Sequence, residues 1–237
     1  MMEKSYDYIK ENFKRLEENV QNAAIRSGRD PKEIKILAAT KTVSPDKINF
    51  AIENGLNLIG ENRVQELCDK YENINLKNCD CHFIGSLQTN KIKYLVDKVS
   101  LIHSIDNMRQ IKELSRLLEL KKKNMDVLIE VNIGDENSKS GVKKENLYEF
   151  IDQAREFSNI KIKGLMCIPP ICESKTKKIG YFSQISQYYV DIMQKKLDNI
   201  YINVLSVGMS DDYEEAIECG STMIRVGSAL FGNRIYK

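Results

Sequence analysis

Apolar positions change their spacing once along this chain. From Ser5 to Ser27 they recur at intervals of one, three and four: Tyr8, Ile9, Phe13, Leu16, Val20, Ala23 and Ala24, with charges between. That is the period of an amphipathic helix. Gly28 and then Pro31 supply its stop. Beyond it, short apolar runs alternate with helical stretches. Strands are expected at Lys35 to Lys41, Leu56 to Ile59, Cys81 to Ile84, Leu101 to Ile105, Val127 to Ile133, Ile160 to Ile168, Val204 to Val207 and Thr222 to Val226. The helices between them are expected at Pro45 to Asn54 (Ser44 as N-cap), through Val64 and Leu67, and at Asn90 to Lys98, Met108 to Lys122, Lys144 to Phe157, Tyr181 to Leu197 and Asp212 to Cys219.

Several of these strands are near-continuous apolar runs, as a parallel sheet covered on both faces requires. Eight strands, each followed by a helix or a terminal turn, predict an α/β fold: a (β/α)8 barrel with an additional N-terminal helix. A doubly wound open sheet is the runner-up, and periodicity alone does not separate the two. The chain is expected to be a single domain over residues 1–237, with residues 1–34 as a helical extension. Removing about 34 residues leaves roughly 203, about 25 per βα unit, which is near the lower limit for this barrel.

In such a barrel the functional residues sit at the C-terminal ends of the strands. That rule selects Lys41, Glu61-Asn62, Gly85, Asn132, Met166 to Pro169, Gly208 to Ser210 and Gly227-Ser228. Lys41 ends an apolar run at the barrel mouth. Desolvation lowers a lysine pKa, and a neutral amine attacks aldehydes. An exposed lysine in a turn fits the same pattern. Ser206-Val-Gly-Met-Ser210 and Gly227-Ser-Ala229 follow the seventh and eighth strands, where this barrel commonly holds phosphate. Turn geometry alone would also explain Gly208 and Gly227. Taken together, an aldehyde-seeking lysine beside a phosphate cradle suggests pyridoxal 5′-phosphate (PLP).

Composition narrows the classes. The chain has 36 basic and 34 acidic residues, a formal net charge of +2, so no charge excess points to nucleic acid or an anionic membrane. No apolar stretch approaches the ~20 residues that span a bilayer. The charged N-terminus does not read as a secretory signal. The six cysteines include a Cys79-Asp-Cys81 pair with a one-residue gap, which is not the spacing of common zinc or redox motifs. They are read as reduced, packed thiols in a cytoplasmic protein, and no metal site is expected.

Longer motifs carry a resemblance. Thr40-Lys-Thr42, Gly60-Glu-Asn-Arg-Val-Gln-Glu66, His82-Phe-Ile-Gly-Ser-Leu-Gln-Thr-Asn-Lys91, Val131 to Gly141, Gly164 to Pro169, Leu205 to Asp212, Ala216 to Thr222 and Arg225 to Gly232 occur in this order. In combination they resemble the pyridoxal phosphate homeostasis proteins (the YggS/PROSC family), whose fold is similar to the N-terminal domain of alanine racemase. The resemblance implies that Lys41 holds PLP as a Schiff base, that Ser210, Gly227 and Ser228 bind its phosphate, and that Arg225 faces the pyridine nitrogen. It places Asn62 and Ser206 along the pocket. His82 opens its motif and reads equally as a strand-end histidine with a structural hydrogen bond. Cys81, Val207 and Ser228 depart from the residues common in the family, and none of these changes removes a group needed to hold PLP.

The function expected is storage of PLP and its transfer to apo-PLP enzymes, without robust amino-acid turnover. A small amino-acid racemase is the alternative. Two-base racemization needs a second acid/base opposite the lysine. In alanine racemase a tyrosine from a further domain supplies it, and no such domain is expected here. Its absence also removes one known dimer surface, so a monomer is expected.

Overall fold

The structure, a computed structural model, describes residues 6–136, 139–171, 174–195, 197 and 200–232. Asp7–Arg26 forms the first helix, α1. It is followed by β1 (Lys35–Ala39), α2 (Pro45–Glu53), β2 (Leu58–Glu61), α3 (Val64–Lys70), β3 (Asp80–Phe83), β4 (Leu101–Ile105) and α4 (Met108–Lys121). Then come β5 (Met125–Asn132), β6 (Val142–Lys143), α5 (Leu147–Ala154), β7 (Ile160–Met166), α6 (Lys175–Gln194), β8 (Ile200–Met209), α7 (Tyr213–Glu218), β9 (Met223–Val226) and α8 (Ser228–Phe231). All pairings are parallel. The order β4-β3-β2-β1-β9-β8-β7-β5 closes through a β4–β5 pairing, and the two-residue β6 attaches to β5. This is the expected eight-stranded (β/α)8 barrel with an N-terminal helix.

The interior is packed with side chains. Leu37, Leu58, Leu101, Leu128, Met166, Val204 and Met223, with Ile84 against them, form one inner apolar cluster to which seven of the barrel strands contribute. A larger cluster lies between the strands and the surrounding helices. Strand side chains alternate between the two faces. On β1, Leu37 is inside, so Ala39 and the Lys41 that follows fall on the same side.

The last unit explains the first helix. α8 has only four residues, too short to cover β9. α1 does so instead, with Leu16, Val20, Ala23 and Ala24 packed on Tyr213, Ile217, Ile224 and Val226. Asn12 Nδ2 donates to the Leu230 carbonyl at 3.0 Å and Asn19 Nδ2 to the Tyr213 hydroxyl at 2.9 Å.

Three expectations change. Thr89–Tyr94 is a 3₁₀ segment followed by turns, not an α-helix over Asn90 to Lys98. Ile92 and Leu95 are buried three apart, and a three-residue turn keeps that spacing on one side. α6 starts at Lys175, six residues earlier than expected, because Ser174 Oγ accepts the Lys177 N–H. Its first-turn lysines oppose the helix dipole, and Glu215 and Asp212 face Lys175 and Lys178 at 2.6 and 3.2 Å. Residues Lys144–Asn146 form a 3₁₀ turn before α5. Five cysteines are free thiols, and burial pushes Cys79, Cys81 and Cys167 each up to about 12. Cys172 lies outside the described residues, as do Ser5 and the Asn137-Ser138 part of one motif.

Gly164 marks the tightest point of the sheet. Its φ is +153°, and a Cβ there would lie 1.7 Å from the Val204 carbonyl oxygen, where β7 shifts register against β8. Gly164→Ala is expected to lower stability by roughly 3 kcal/mol or more, the scale of backbone strain plus overpacking. Chemical denaturation measures it, and an unchanged midpoint would show that the strands separate there at no cost.

Candidate functional site

Two cavities meet at the C-terminal end of the barrel, and Ala39 and Lys41 line both. One, of about 400 Å³, lies over the barrel mouth among Asn62, Gly85, Glu130, Asn132, Met209 and Arg225. The other, of about 330 Å³, lies between the β1 loop (Thr42, Val43, Ser44) and the β9 loop (Gly227, Ser228, Phe231). Lys41 is half-buried between them.

The turn that carries Lys41 is fastened from outside the barrel. Thr42 adopts φ +64°, an uncommon conformation for a β-branched residue. The Thr42 N–H donates to Glu66 Oε1 at 2.5 Å. Lys70 Nζ donates to the Thr40 carbonyl at 2.8 Å, the Val43 carbonyl at 3.3 Å and Glu66 at 2.9 Å, and pairs with Glu61 at 2.5 Å. The Thr40 hydroxyl donates to the same Glu61 oxygen at 2.5 Å. Glu61 is fully buried, and burial pushes its pKa up while Lys70 and Thr40 oppose the shift. A single ammonium thus ties β2, α3 and both sides of the lysine turn.

Arg225 is the buried cation of the larger cavity, which Lys41 and Lys139 also line. It is 5% exposed. Nη1 donates to the Ser206 carbonyl at 2.6 Å and to Ser206 Oγ at 2.8 Å, and Nη2 donates to the Cys167 carbonyl at 3.0 Å. A guanidinium has five N–H bonds. Three are used for anchoring, which leaves two for the cavity. Ser206 does not line the cavity. It is fully buried, and its hydroxyl and carbonyl both accept from Arg225.

Ser210 joins the two late loops. Its hydroxyl oxygen accepts the N–H groups of Gly227 at 3.0 Å and Ala229 at 3.2 Å. Ser210, Gly227 and Ser228 are therefore brought together, on the smaller cavity's side of Lys41. Asn62 borders the larger cavity, and its Oδ1 is buried without a hydrogen-bond partner among the described residues. Gly85 packs so closely on Asn62 that a Cβ would lie 2.0 Å from the Asn62 carbonyl oxygen.

Glu130 is a site residue that the sequence pattern did not single out. It lies on β5, is 8% exposed and lines the cavity with Lys41 and Arg225. Burial, with the charge of Asp106 adding, pushes its carboxyl up to about 7, and Arg225 opposes the shift. The available signal was a lone carboxylate inside the apolar run from Val127 to Ile133. His82, read equally as structural, does make a structural bond: its Nδ1 lies 3.0 Å from His103 Nε2.

The family described as "Alanine racemase, N-terminal domain" matches residues 7–234. Pyridoxal phosphate homeostasis proteins are among the relatives. That of Aquifex aeolicus (strain VF5) is 43% identical over 95% of this chain and 98% of its own, and that of Escherichia coli (strain K12) is 37% identical over 96% and 97%. Among solved structures, a Bifidobacterium adolescentis protein superposes with a TM-score of 0.90 at 30% identity, covering 95% of each chain. PipY of Synechococcus elongatus PCC7942, solved with PLP bound, superposes with a TM-score of 0.81 at 28% identity, covering 94% of this chain and 100% of PipY.

The buried charges set two expectations for stability. Lys70→Met leaves Glu61 buried without its cation and should cost about 3–5 kcal/mol, whereas Glu66→Gln, at the more exposed end, should cost clearly less. Equal losses in urea melts would count against Lys70 as the common tie. For Glu130 the folded pKa lies above the ordinary value of 4.5. Between about 4.5 and 7 the folded state keeps a proton that the unfolded state has lost, so stability falls as pH rises through that window. Glu130→Gln should therefore be the more stable protein at pH 8, by an amount on the order of 1–3 kcal/mol, with the gap narrowing toward pH 5. Melts at both pH values measure it, and a gap independent of pH would exclude the shift.

Proposed function

We propose that this chain, which belongs to the alanine racemase N-terminal domain family, binds pyridoxal 5′-phosphate on Lys41 and serves intracellular homeostasis of that cofactor. It stores PLP and passes it to apo-enzymes, without robust turnover of amino acids. The whole chain acts as one cofactor-binding barrel, as a cytoplasmic monomer. Among the described residues no helix is long and apolar enough to cross a membrane. The observation that carries the reading is the place of Lys41, half-buried between a small-residue loop pair and a cavity holding Arg225 and Asn62.

The residues suit the cofactor group by group. Lys41 bonds the aldehyde carbon, with loss of water. Ser210 and Ser228 offer hydroxyls and Ser228 a backbone N–H to the phosphate, while Gly227, its own N–H held by Ser210, leaves room for it to approach. The buried, unpartnered Asn62 Oδ1 is an acceptor that a donor near the lysine nitrogen would satisfy. Arg225, which lines the cavity with two N–H groups beyond its three anchoring bonds, has donors to offer the ring nitrogen.

PLP when bound supplies an electron sink for carbanions, strongest when its ring nitrogen is protonated. A buried guanidinium at that nitrogen opposes the proton by like charge. Arg225 therefore favours holding the cofactor over activating it. Membership among proteins named for PLP homeostasis supports the same reading.

One observation favours the rival, a PLP-dependent amino-acid racemase. Glu130 places a carboxyl near neutrality in the cavity, the kind of group that proton transfer uses. Exchange of the α-proton against deuterated water, over a panel of amino acids, separates the two. The carrier reading expects no enzyme-like rate and no effect of Glu130→Gln on what remains. Fast exchange that Glu130→Gln abolishes would install the rival.

Purified protein supplied with PLP should show a visible absorption band that borohydride removes, with the reduced adduct on Lys41 by peptide mass spectrometry. Lys41→Ala should retain PLP only weakly and without a fixable adduct. The loaded protein should restore activity to an apo-PLP enzyme. An adduct mapped to another lysine would sink the assignment.

A further inference from the structure

A column of buried polar side chains crosses the otherwise apolar barrel interior beneath Arg225. Arg225 Nη1 donates to Ser206 Oγ at 2.8 Å. Ser206 Oγ lies 3.1 Å from His103 Nδ1, and His103 Nε2 lies 3.0 Å from His82 Nδ1. Ser206 and His103 are 0% exposed and His82 is 6% exposed. The four residues come from β9, β8, β4 and β3, and the two histidines are the only ones in the chain. At its far end His82 lines a cleft of about 580 Å³ at the opposite mouth of the barrel, with Lys35, Asn57 and Asp80.

One order of donors leaves the Ser206 hydroxyl hydrogen and both rings bonded along the column. A guanidinium donates and never accepts. Ser206 Oγ therefore accepts from Arg225, and its own hydrogen finds a partner only at His103 Nδ1, the one other polar group beside it among the described residues. A ring accepting at Nδ1 carries its hydrogen on Nε2, which donates to His82 Nδ1. His82 in turn keeps its hydrogen on Nε2, the nitrogen left for the cleft. Both rings are neutral. Burial, with the charge of Lys35 adding, pushes His82 down to about 3. Burial and the neighbouring His82 and Arg225 hold His103 well below the ordinary imidazole value.

We propose that His103 and His82 are positioning residues: through Ser206 they hold the Arg225 guanidinium at the cofactor cavity, by a one-way hydrogen-bond chain that runs to the other end of the barrel. Without His103 the Ser206 hydroxyl loses its one acceptor among the described residues and is free to turn away from Arg225. Bonds aligned in one sense in a low-dielectric core also strengthen one another. Two imidazoles with ring centres 5.1 Å apart, in place of aliphatic side chains, are costly unless both are satisfied, and this order of donors satisfies them. The tautomers belong to the free protein. Only the effect on the cofactor rests on the PLP reading above.

With two histidines in the chain, ¹⁵N-imidazole NMR reads the column directly. The free protein should show two neutral rings, both with hydrogen on Nε2, unchanged from pH 5 to pH 8. A Nδ1–H tautomer at His103, or either ring titrating in that range, overturns the proposal. Once PLP is loaded, as its visible band reports, the His103 Nδ1 signal should move, and Ser206→Ala should abolish that movement. A signal that stays put in loaded protein also overturns it. His103→Leu should weaken PLP binding roughly tenfold and shift the visible band, the scale of one buried hydrogen bond. His103→Asn keeps an acceptor near the Nδ1 position and should recover most of the loss. Equal losses in both variants, with both folded by circular dichroism, would mean that His103 only fills space. Failure to take up PLP at all would defeat the cofactor reading, and the tautomers of the free protein would then decide whether the column exists.

Discussion

The pairing of the first barrel strand with the last is the constraint on which the site depends. Leu37 lies opposite Arg225 and Ala38 opposite Val226 in parallel register. Two residues beyond Ala39 on one strand is Lys41, and two beyond Arg225 on the other is Gly227. The hydrogen bonds of that ladder therefore set the spacing between the amine and the proposed phosphate loops. A one-residue slip would exchange the two faces of the strand, sending Arg225 outside and Ile224 in. The inner apolar cluster, with Leu37 and Met223 in it, and the α1 cover over Ile224 and Val226 resist such a slip from opposite sides.

Charge is handled in two ways around this ladder. Outside the barrel, Lys70 is bound by carboxylates and carbonyls, so its burial is matched by partners and it can fasten a strained turn. Inside the barrel, Arg225 is anchored mainly by neutral acceptors: two carbonyls and a serine hydroxyl. Its nearest countercharge in the cavity, Glu130, is itself reluctant to ionise. A guanidinium held this way keeps its positive field directed at the cavity instead of neutralising it in a salt bridge, which suits contact with a neutral ring-nitrogen acceptor. The neutral histidine column extends the same logic, passing donors downward without adding a second charge.

Much of the site was legible because it depends on local order. The β1 run ends in Lys41, the β9 run is followed by Gly227-Ser228, and a barrel sends both to one mouth. Helix ends were less legible. The lysines at 175–178 lie before the expected Tyr181 start, yet Ser174 caps a helix there and the acidic residues at the start of α7, nearly forty positions away, offset the first-turn charges. Ser206 reads as a pocket residue from its motif, yet alternation on β8 turns it into the barrel under Arg225. Glu130 looked like one polar interruption in an apolar strand, and its meaning needed the inward direction of that position.

The sequence by itself determined the alternation of β and α units and the extra helix, and it put Lys41 at the end of the first strand, because these follow from hydrophobic period and from motifs that are continuous in the chain. Tertiary structure alone decided which polar residues share an interior: Arg225 with Ser206, His103 and His82, and Glu61 with Lys70. Those groups come from strands and helices whose spacing along the chain carries no trace of the contact. What selects them is the low dielectric of the closed barrel and its surround, where each buried donor and acceptor must find its partner in space.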